Sequence, residues 1–411
     1  MKKFLLFILI VIIILGGIWF FFIRGKSAPE NIAKIFKPLF PRGDQVVQID
    51  TSEGEDPIIG VVSDENRGRL TQITKVPIAG YITFEEPKII EVSDVNERIT
   101  KQTINEDVLR YVHRRSGYVF ERRAGKDAEQ VSNIVIPNIY EAIFGDGGKS
   151  VALRFLQDDA QTIGTYVLPI PDKKDDGTRE QQEGLFLINN IKHFVEGPGM
   201  KKHARLIVSQ GNGVITTASF NNKNVQEILR FPFTEWLLQW PLEDRLYLQT
   251  KASARIPGYL YSISPRDKVL RRVLGNINGL TTNVSPTGTY VIYSQSTQDR
   301  FTTYIYNTTS GKFFRLDPFI LPEKCTWTKE EDLICAGSSN IESSVYPDAW
   351  YAGLIKFTDS FYRISVRNGL IETIFDPIIE DFDAVQLRLD TREVGLYFID
   401  RTTGLLWRLR L

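Results

Sequence analysis

From Thr281 onward the chain alternates apolar and polar positions in short runs broken by turn residues. Thr281–Val284 reads as a strand, and Ser285-Pro286-Thr287-Gly288 as a tight turn with Pro and Gly where type I and II turns favour them. Tyr290–Ser294 is rich in Tyr, Val and Ile, which suit a pleated, half-buried surface. A polar loop, Gln295–Arg300, leads to the alternating run Thr302–Tyr306. Thr308–Gly311 then turns the chain into Lys312–Leu316. Gly279–Asp317 therefore predicts four short antiparallel strands. Such a sheet has two faces to bury and cannot bury them alone, so the unit has to recur.

It does recur. Asn138–Asn190 begins IYEAIFGDGGKSVALRF, a strand, turn and strand, and continues to Thr165–Ile170. Ile191–Phe233 supplies RLIVSQ, GVITTASF and VQEILRF. Glu235–Trp240 precedes Arg245–Gln249, Gly258–Ile263 and Val269–Leu274. Lys324–Asp376 opens on CTWTKEEDLICAG and reaches FYRISV and LIETIF, and Asp383–Leu411 gives AVQLRL, VGLYFI and LLWRLRL. A weaker unit spans Val76–Ile136. Four strands in roughly 40 residues is the size of one propeller blade. The pattern predicts an all-β, seven-bladed β-propeller over residues 66–411. Six or eight blades also fit, because the first unit is weak.

The repeats resemble the TolB-type propeller repeat, whose first turn reads Ser-Pro-Asp-Gly-Lys. SPTGT at Ser285, GDGGK at Gly145 and WTKEED at Trp327 stand in that place. Lys324-Cys325-Thr326-Trp327, Leu333-Ile334-Cys335-Ala336, Tyr346-Pro347-Asp348-Ala349-Trp350-Tyr351 and the terminal GLLWRL together resemble membrane-anchored propeller proteins of candidate-phyla bacteria. The resemblance implies fold and topology and carries over no catalytic residues.

The last unit shows only three strands, and a ring must hide its sheet edges. Arg69-Leu70-Thr71-Gln72-Ile73 has the character of a missing fourth strand. It is expected to complete the final blade and clasp the two ends of the domain; the alternative is a three-stranded last blade.

Ahead of the ring, Phe4–Ile23 is an uncharged apolar run. As a helix it would span about 30 Å, the thickness of a bilayer's hydrocarbon core. A cleaved signal peptide would have a shorter core and an A-x-A-like site, but this run ends in Arg-Gly-Lys. The expectation is a retained, single-pass transmembrane helix within residues 1–26, contacting membrane lipid. A juxtamembrane stem or linker follows over residues 27–65. Lys2 and Lys3 favour a cytoplasmic N-terminus, with Arg24 and Lys26 opposing. The size and strand content of the rest place the propeller outside the cytoplasm, at the cell envelope. Fifty basic and fifty acidic residues balance, which argues against a nucleic-acid partner.

Chemistry-bearing motifs are sparse. Cys325 and Cys335 flank a hairpin turn near Glu330, so they face each other or nearly so; they form a disulfide or stay as buried thiols. GDGGKS lacks the glycine five residues before Gly148-Lys149 that a phosphate loop needs, and a strand follows it. Asp172, Asp176, Gly177 and Glu183 match positions of a calcium loop, but Lys174 stands where a ligand oxygen belongs. His113 reads as half-exposed on a strand, and His203 as solvent-exposed in the loop GPGMKKHAR. No nucleophile motif accompanies the three histidines. No catalytic residue, metal ligand or cofactor is assigned. The candidate binding loop is the insertion Ser338–Thr358, through Tyr346, Trp350 and Tyr351. Alternatively those rings pack onto the blade or plug one mouth of the ring. The function expected is a protein- or glycan-binding or assembly module. The rival is a carbohydrate-active hydrolase or lyase with carboxylates around the channel, and a purely structural envelope component is a third reading.

Overall fold

The structure, a computed structural model, describes residues 68–93, 99–174, 178–180, 183–377 and 381–411. The Phe4–Ile23 run and the stem lie outside them. Among the described residues no helix is long and apolar enough to cross a membrane.

Seven four-stranded antiparallel sheets follow one another along the chain. Blade 1 is Ile78–Ser93, Ile99–His113, Val119–Arg123 and Glu129–Gln130; blade 2 is Ile139–Gly145, Ser150–Leu156, Ile163–Pro169 and Leu185–Phe186. Blade 3 is His193–Glu196, Lys202–Ser209, Asn212–Ser219 and Gln226–Phe231; blade 4 is Trp236–Leu242, Arg245–Thr250, Pro257–Ile263 and Leu270–Asn278. Blade 5 is Thr282–Val284, Tyr290–Ser296, Phe301–Asn307 and Phe313–Leu316; blade 6 is Cys325–Trp327, Leu333–Gly337, Ser360–Ile364 and Ile371–Phe375. Blade 7 is Ala384–Leu389, Gly395–Asp400 and Leu406–Arg410, completed by Leu70–Gln72. This settles the blade count at seven.

First strands of neighbouring blades touch, so they line the central channel. All first strands run the same way. Turns between second and third strands, and the links between blades, therefore share one face, here the upper face. Turns between first and second strands and between third and fourth share the lower face.

The core is divided among the blade interfaces. Strand Tyr290–Ser296 shows why. Val291 and Tyr293 pack with Tyr247 and Leu260 of blade 4, whereas Ile292 between them packs with Leu333 and Cys335 of blade 6. In Leu333–Gly337 the same alternation sends Ile334 and Ala336 toward Ala384 and Leu396 of blade 7. The two-residue period of a strand thus feeds two different cores at once. Burying one such side chain contributes about 1.5–3 kcal/mol.

The seam between blades 7 and 1 is where the chain's two ends meet. Leu70 pairs with Leu409, Thr71 with Arg408 and Gln72 with Trp407. The Ile73 amide then donates to Leu406 O at 2.8 Å. Leu70 packs on the blade 6–7 core and Ile73 on the blade 7–1 core with Ile78, Leu109, Ile399 and Leu406.

Blade 1 departs from the others. Its first two strands pair from Ile78–His113 out to Ser93–Ile99, while the third strand reaches only Arg123, opposite Val108. Beyond that point residues 85–93 and 99–107 form a two-stranded ribbon projecting from the lower face.

The clasp predicts a sharp length dependence. Removing residues 1–67 keeps the strand Leu70–Gln72 and provides the reference. Removing residues 1–74 should destabilise the ring by at least ~2 kcal/mol, from re-exposed Leu70 and Ile73 packing and lost strand pairing. Thermal unfolding of the two truncations decides it.

Candidate functional site

The upper face is closed by the insertion between Gly337 and Ser360. Ser343 Oγ donates to Asp299 of blade 5 at 2.9 Å, and Asp348 accepts the Ala254 amide of blade 4 at 2.7 Å. Two residues further on, Trp350 O accepts from Arg401 of blade 7 at 2.6 Å. Blades 4 and 7 stand three places apart on the ring, so the helical turn Asp348–Tyr351 lies across the channel mouth.

The aromatic residues of this loop face inward, which corrects the expectation that they present a binding surface. Tyr346 is 2 % exposed and Trp350 5 %, packed with Phe301, Leu321 and Phe357, with Tyr351 beside them. The rings are worth more as the cap's own core than in water. Tyr351 Oη donates to Glu323, whose carboxyl is held above its ordinary range by burial, although the Tyr351 bond opposes this.

Beneath the cap is a buried ionic cluster. Lys324 Nζ lies 2.8 Å from Asp359 and 2.5 Å from Asp383, all three side chains being sealed from solvent. Trp350 Nε1 donates to Asp383 at 2.9 Å, and the Ala384 amide donates to Asp359 at 2.6 Å. Burial pushes Asp359 up to about 6, only partly offset by Lys324. Two acids from different blades do meet here, but without solvent access and around a lysine. That arrangement fastens blades 6 and 7 to the cap and gives a substrate no entry.

Within the channel, Arg388 of blade 7 bonds Glu196 of blade 3, again three places apart. Their side chains keep 40 % and 23 % exposure, so the pair crosses a space open to solvent. Burial pushes the Glu196 carboxyl up, but the Arg388 guanidinium more than reverses this, leaving it below its ordinary range. His193, at the start of the same strand, accepts the Leu238 amide on Nδ1 at 3.3 Å. Burial draws it down to about 4, so it is neutral at pH 7. A locked ion pair and a neutral imidazole are poor agents of proton transfer near neutrality.

On the lower face the base of the ribbon is braced by alternating charges. Arg110, fully buried, donates to Glu121 at 2.7 and 2.8 Å and to Gly148 O at 2.7 Å. Arg123 bridges Glu86, Glu106 and Glu121, and Lys88 continues the ladder to Glu106 at 2.8 Å. Burial raises and these cations lower the Glu106 and Glu121 carboxyls, with a net shift downward. Midway along the ribbon Ile89 is 68 % exposed and Ile104 37 %.

The other sequence candidates resolve individually. Cys325 and Cys335 are directly opposed and joined by a disulfide. GDGGK is a strand-to-strand turn, with Gly145 paired to Ser150. Asp172 of the calcium-like loop is 2.5 Å from Lys149, and Asp176 and Gly177 lie outside the described residues. Among the described residues no three His, Cys, Asp or Glu cluster as metal ligands. His113 is half-buried against Phe120. His203 is not in a solvent loop: the turn Pro198–Met200 is so short that the strand restarts at Lys202. It is fully buried, stacks on Phe194, and burial draws it down to about 3.

No family model matches the chain, and no curated protein does. Solved structures similar to it include β-propeller domains. An oligogalacturonate lyase in complex with manganese shares 10% identity over 82% of this chain and 98% of that one, with a TM-score of 0.47. The β-propeller domain of the Trilobed protease from Pyrococcus furiosus shares 9% over 80% and 95%, at 0.46. TolB from Acinetobacter baumannii shares 11% over 80% of each chain, at 0.38. The likeness concerns the fold.

Two measurements test the ionic cluster. Lys324→Met leaves buried Asp359 without its cation and Asp383 with Arg401 alone, and should cost about 3–5 kcal/mol. Asp359 binds its proton more tightly folded, near pH 6, than unfolded, near pH ~4. Its contribution to stability is therefore highest below about pH 4 and falls as pH rises to about 6. Unfolding free energies of the parent and Asp359→Asn, compared from pH 4 to 7, should move against the parent as pH rises; a constant difference would refute this.

Proposed function

We propose that this protein is a binding or assembly module at the cell envelope. In this reading Phe4–Ile23 anchors it and the extracytoplasmic ring presents its lower-face ribbon to a protein partner. One observation carries the reading: residues 85–93 and 99–107 pair only with each other, leaving backbone edges and apolar Ile89 and Ile104 in solvent. An exposed edge is a liability that a monomer gains nothing from keeping, and it is a template on which another protein's strand can add. A protein partner suits strand edges and isoleucines better than a glycan, which would call for exposed aromatic platforms. The cap aromatics Tyr346 and Trp350 are buried and cannot supply them.

The expected partner co-purifies with the tagged full-length chain from solubilised membranes. Ile89→Glu with Ile104→Glu should reduce its recovery by about tenfold, as loss of a hot spot does. These exposed sites should change stability by less than ~0.5 kcal/mol. Equal recovery from parent and variant sinks the reading.

The extracytoplasmic placement has its own check. Cys325 and Cys335 should resist maleimide labelling when cells are quenched in denaturant without reductant, because an outside compartment keeps a disulfide. Full labelling of both thiols would place the ring in a reducing compartment.

A further inference from the structure

A cleft of about 370 Å³ opens at the seam between blades 7 and 1, beside the base of the ribbon. Its size matches a small organic ligand. Arg122 and Arg123 line it from blade 1, and Arg392 and Arg408 from blade 7, together with the carboxylates of Asp107 and Asp390.

The four cations are not equally occupied. Arg123 is spent on Glu86, Glu106 and Glu121, and Arg392 on Asp107. Arg408 pairs with Asp390 at 3.7 Å and lies over the Tyr397 ring at 5.7 Å, and its Nε is buried with no hydrogen-bond partner. Arg122 has no ion-pair partner among the described residues. Its neighbours Glu121 and Arg123 point to the other face of the sheet, into the charge ladder, which leaves Arg122 facing blade 7. Arg122 and Arg408 both line the cleft, as does the half-buried Tyr397 ring. Gly395 makes room for this arrangement. A Cβ there would lie 2.6 Å from Asp390 Oδ2 and 2.7 Å from Arg408 Nε.

Two guanidinium groups lining one cleft offer an entering anion positive charge from both blades. Guanidinium forks match carboxylate and phosphate oxygens in pairs. The remaining lining is mixed: Ile73, Leu109 and the Tyr397 ring are apolar, and the Thr71 and Thr83 hydroxyls are polar.

We propose that this seam cleft is a binding site for a small organic anion, whose carboxylate or phosphate is held between Arg122 and Arg408. The body of the ligand rests on Tyr397, Leu109 and Ile73. The site stands independently of a partner on the ribbon.

The test is calorimetric titration of the full-length protein in detergent, at fixed ionic strength. Probes are inorganic phosphate, glucose 6-phosphate and glucuronate, with flotation on phosphatidylglycerol and phosphatidylcholine vesicles alongside. Saturable binding of at least one anionic probe is expected. Arg122→Gln and Arg408→Gln should each weaken it about tenfold or more, equivalent to ~1.4 kcal/mol. Arg122→Lys should retain part of the affinity, and Arg271→Gln, at an exposed arginine remote from the cleft, should retain all of it. Arg122→Gln should melt with the parent, separating loss of site from loss of fold. Binding of phosphatidylglycerol vesicles alone, abolished by Arg122→Gln, identifies a lipid headgroup as the source; binding of soluble probes identifies a free ligand. Absence of saturable binding to every probe, or binding unchanged in Arg122→Gln, overturns the proposal.

Discussion

Each sheet in this molecule can bury its two faces only against its neighbours, and everything else follows from that constraint. Seven apolar cores, one at each blade interface, replace the single core of an ordinary domain. Six interfaces join blades that are consecutive in the chain. The seventh joins blade 7 to blade 1 and has no such tether except the strand Leu70–Gln72. Separating it exposes Tyr81, Leu109, Ile399 and Leu406 together with the free edge of Leu406–Arg410. The clasp is therefore a condition of the ring, and the seam is its weakest circumferential joint. That the arginine-lined cleft lies at this same joint gives a bound anion a stabilising role as well, since it would bridge cations from both sides.

The cap over the upper face illustrates a different use of burial. Lys324 with Asp359 and Asp383 forms an ion cluster that apolar residues of similar volume could equal or exceed in stability. What apolar residues could not supply is direction. Trp350 Nε1, the Ala384 amide and Arg401 each meet a particular carboxylate oxygen, and they arrive from the cap and blade 7. The cluster fixes where the insertion sits on the ring. The aromatic residues then fill the space so defined.

The sequence was most readable where local chemistry alone decides. Ser285-Pro286-Thr287-Gly288 announces its turn, and Gly288 takes φ +73° with its amide on Ser285 O at 2.9 Å. The spare strand near Leu70 was visible because the last repeat lacks one. Cys325 and Cys335 sit symmetrically about their turn, so their opposition could be foreseen. Features set by non-local packing were hidden. The inward rotation of Tyr346 and Trp350 depends on Phe301 and Phe357, far away in the chain or across the loop. Arg110 lies in a plain strand sequence, and its burial depends on Glu121 and Gly148 arriving from elsewhere. The ribbon was obscured for a related reason. Glu85, Glu86, Lys88 and Glu106 dilute the apolar signal of blade 1 and give it the polarity of a connecting loop. The partition of YVFERR was the missed clue: Glu121 and Arg123 on one face, Arg122 alone on the other.

That polarity is also what allows the ribbon to exist. Past Val108 the hairpin has no third strand and no neighbouring sheet. An apolar face there would be exposed and sticky. A ladder of charges running from Arg110 through Glu121, Arg123 and Glu86 to Glu106 and Lys88 braces the base without needing to be dry at its outer end. The ladder is buried at its root, where Arg110 is inaccessible, and exposed outward, where Lys88 retains 42%. Its inner members gain from low dielectric, while its outer members discourage unwanted edge pairing. An arm braced in this way loses less conformational freedom on binding than a flexible loop would. The capped upper face and the armed lower face are thus two answers to one question: what to do with chain that leaves the ring. The insertion folds back and buries its aromatics, and the ribbon stays out because its charges hold it there.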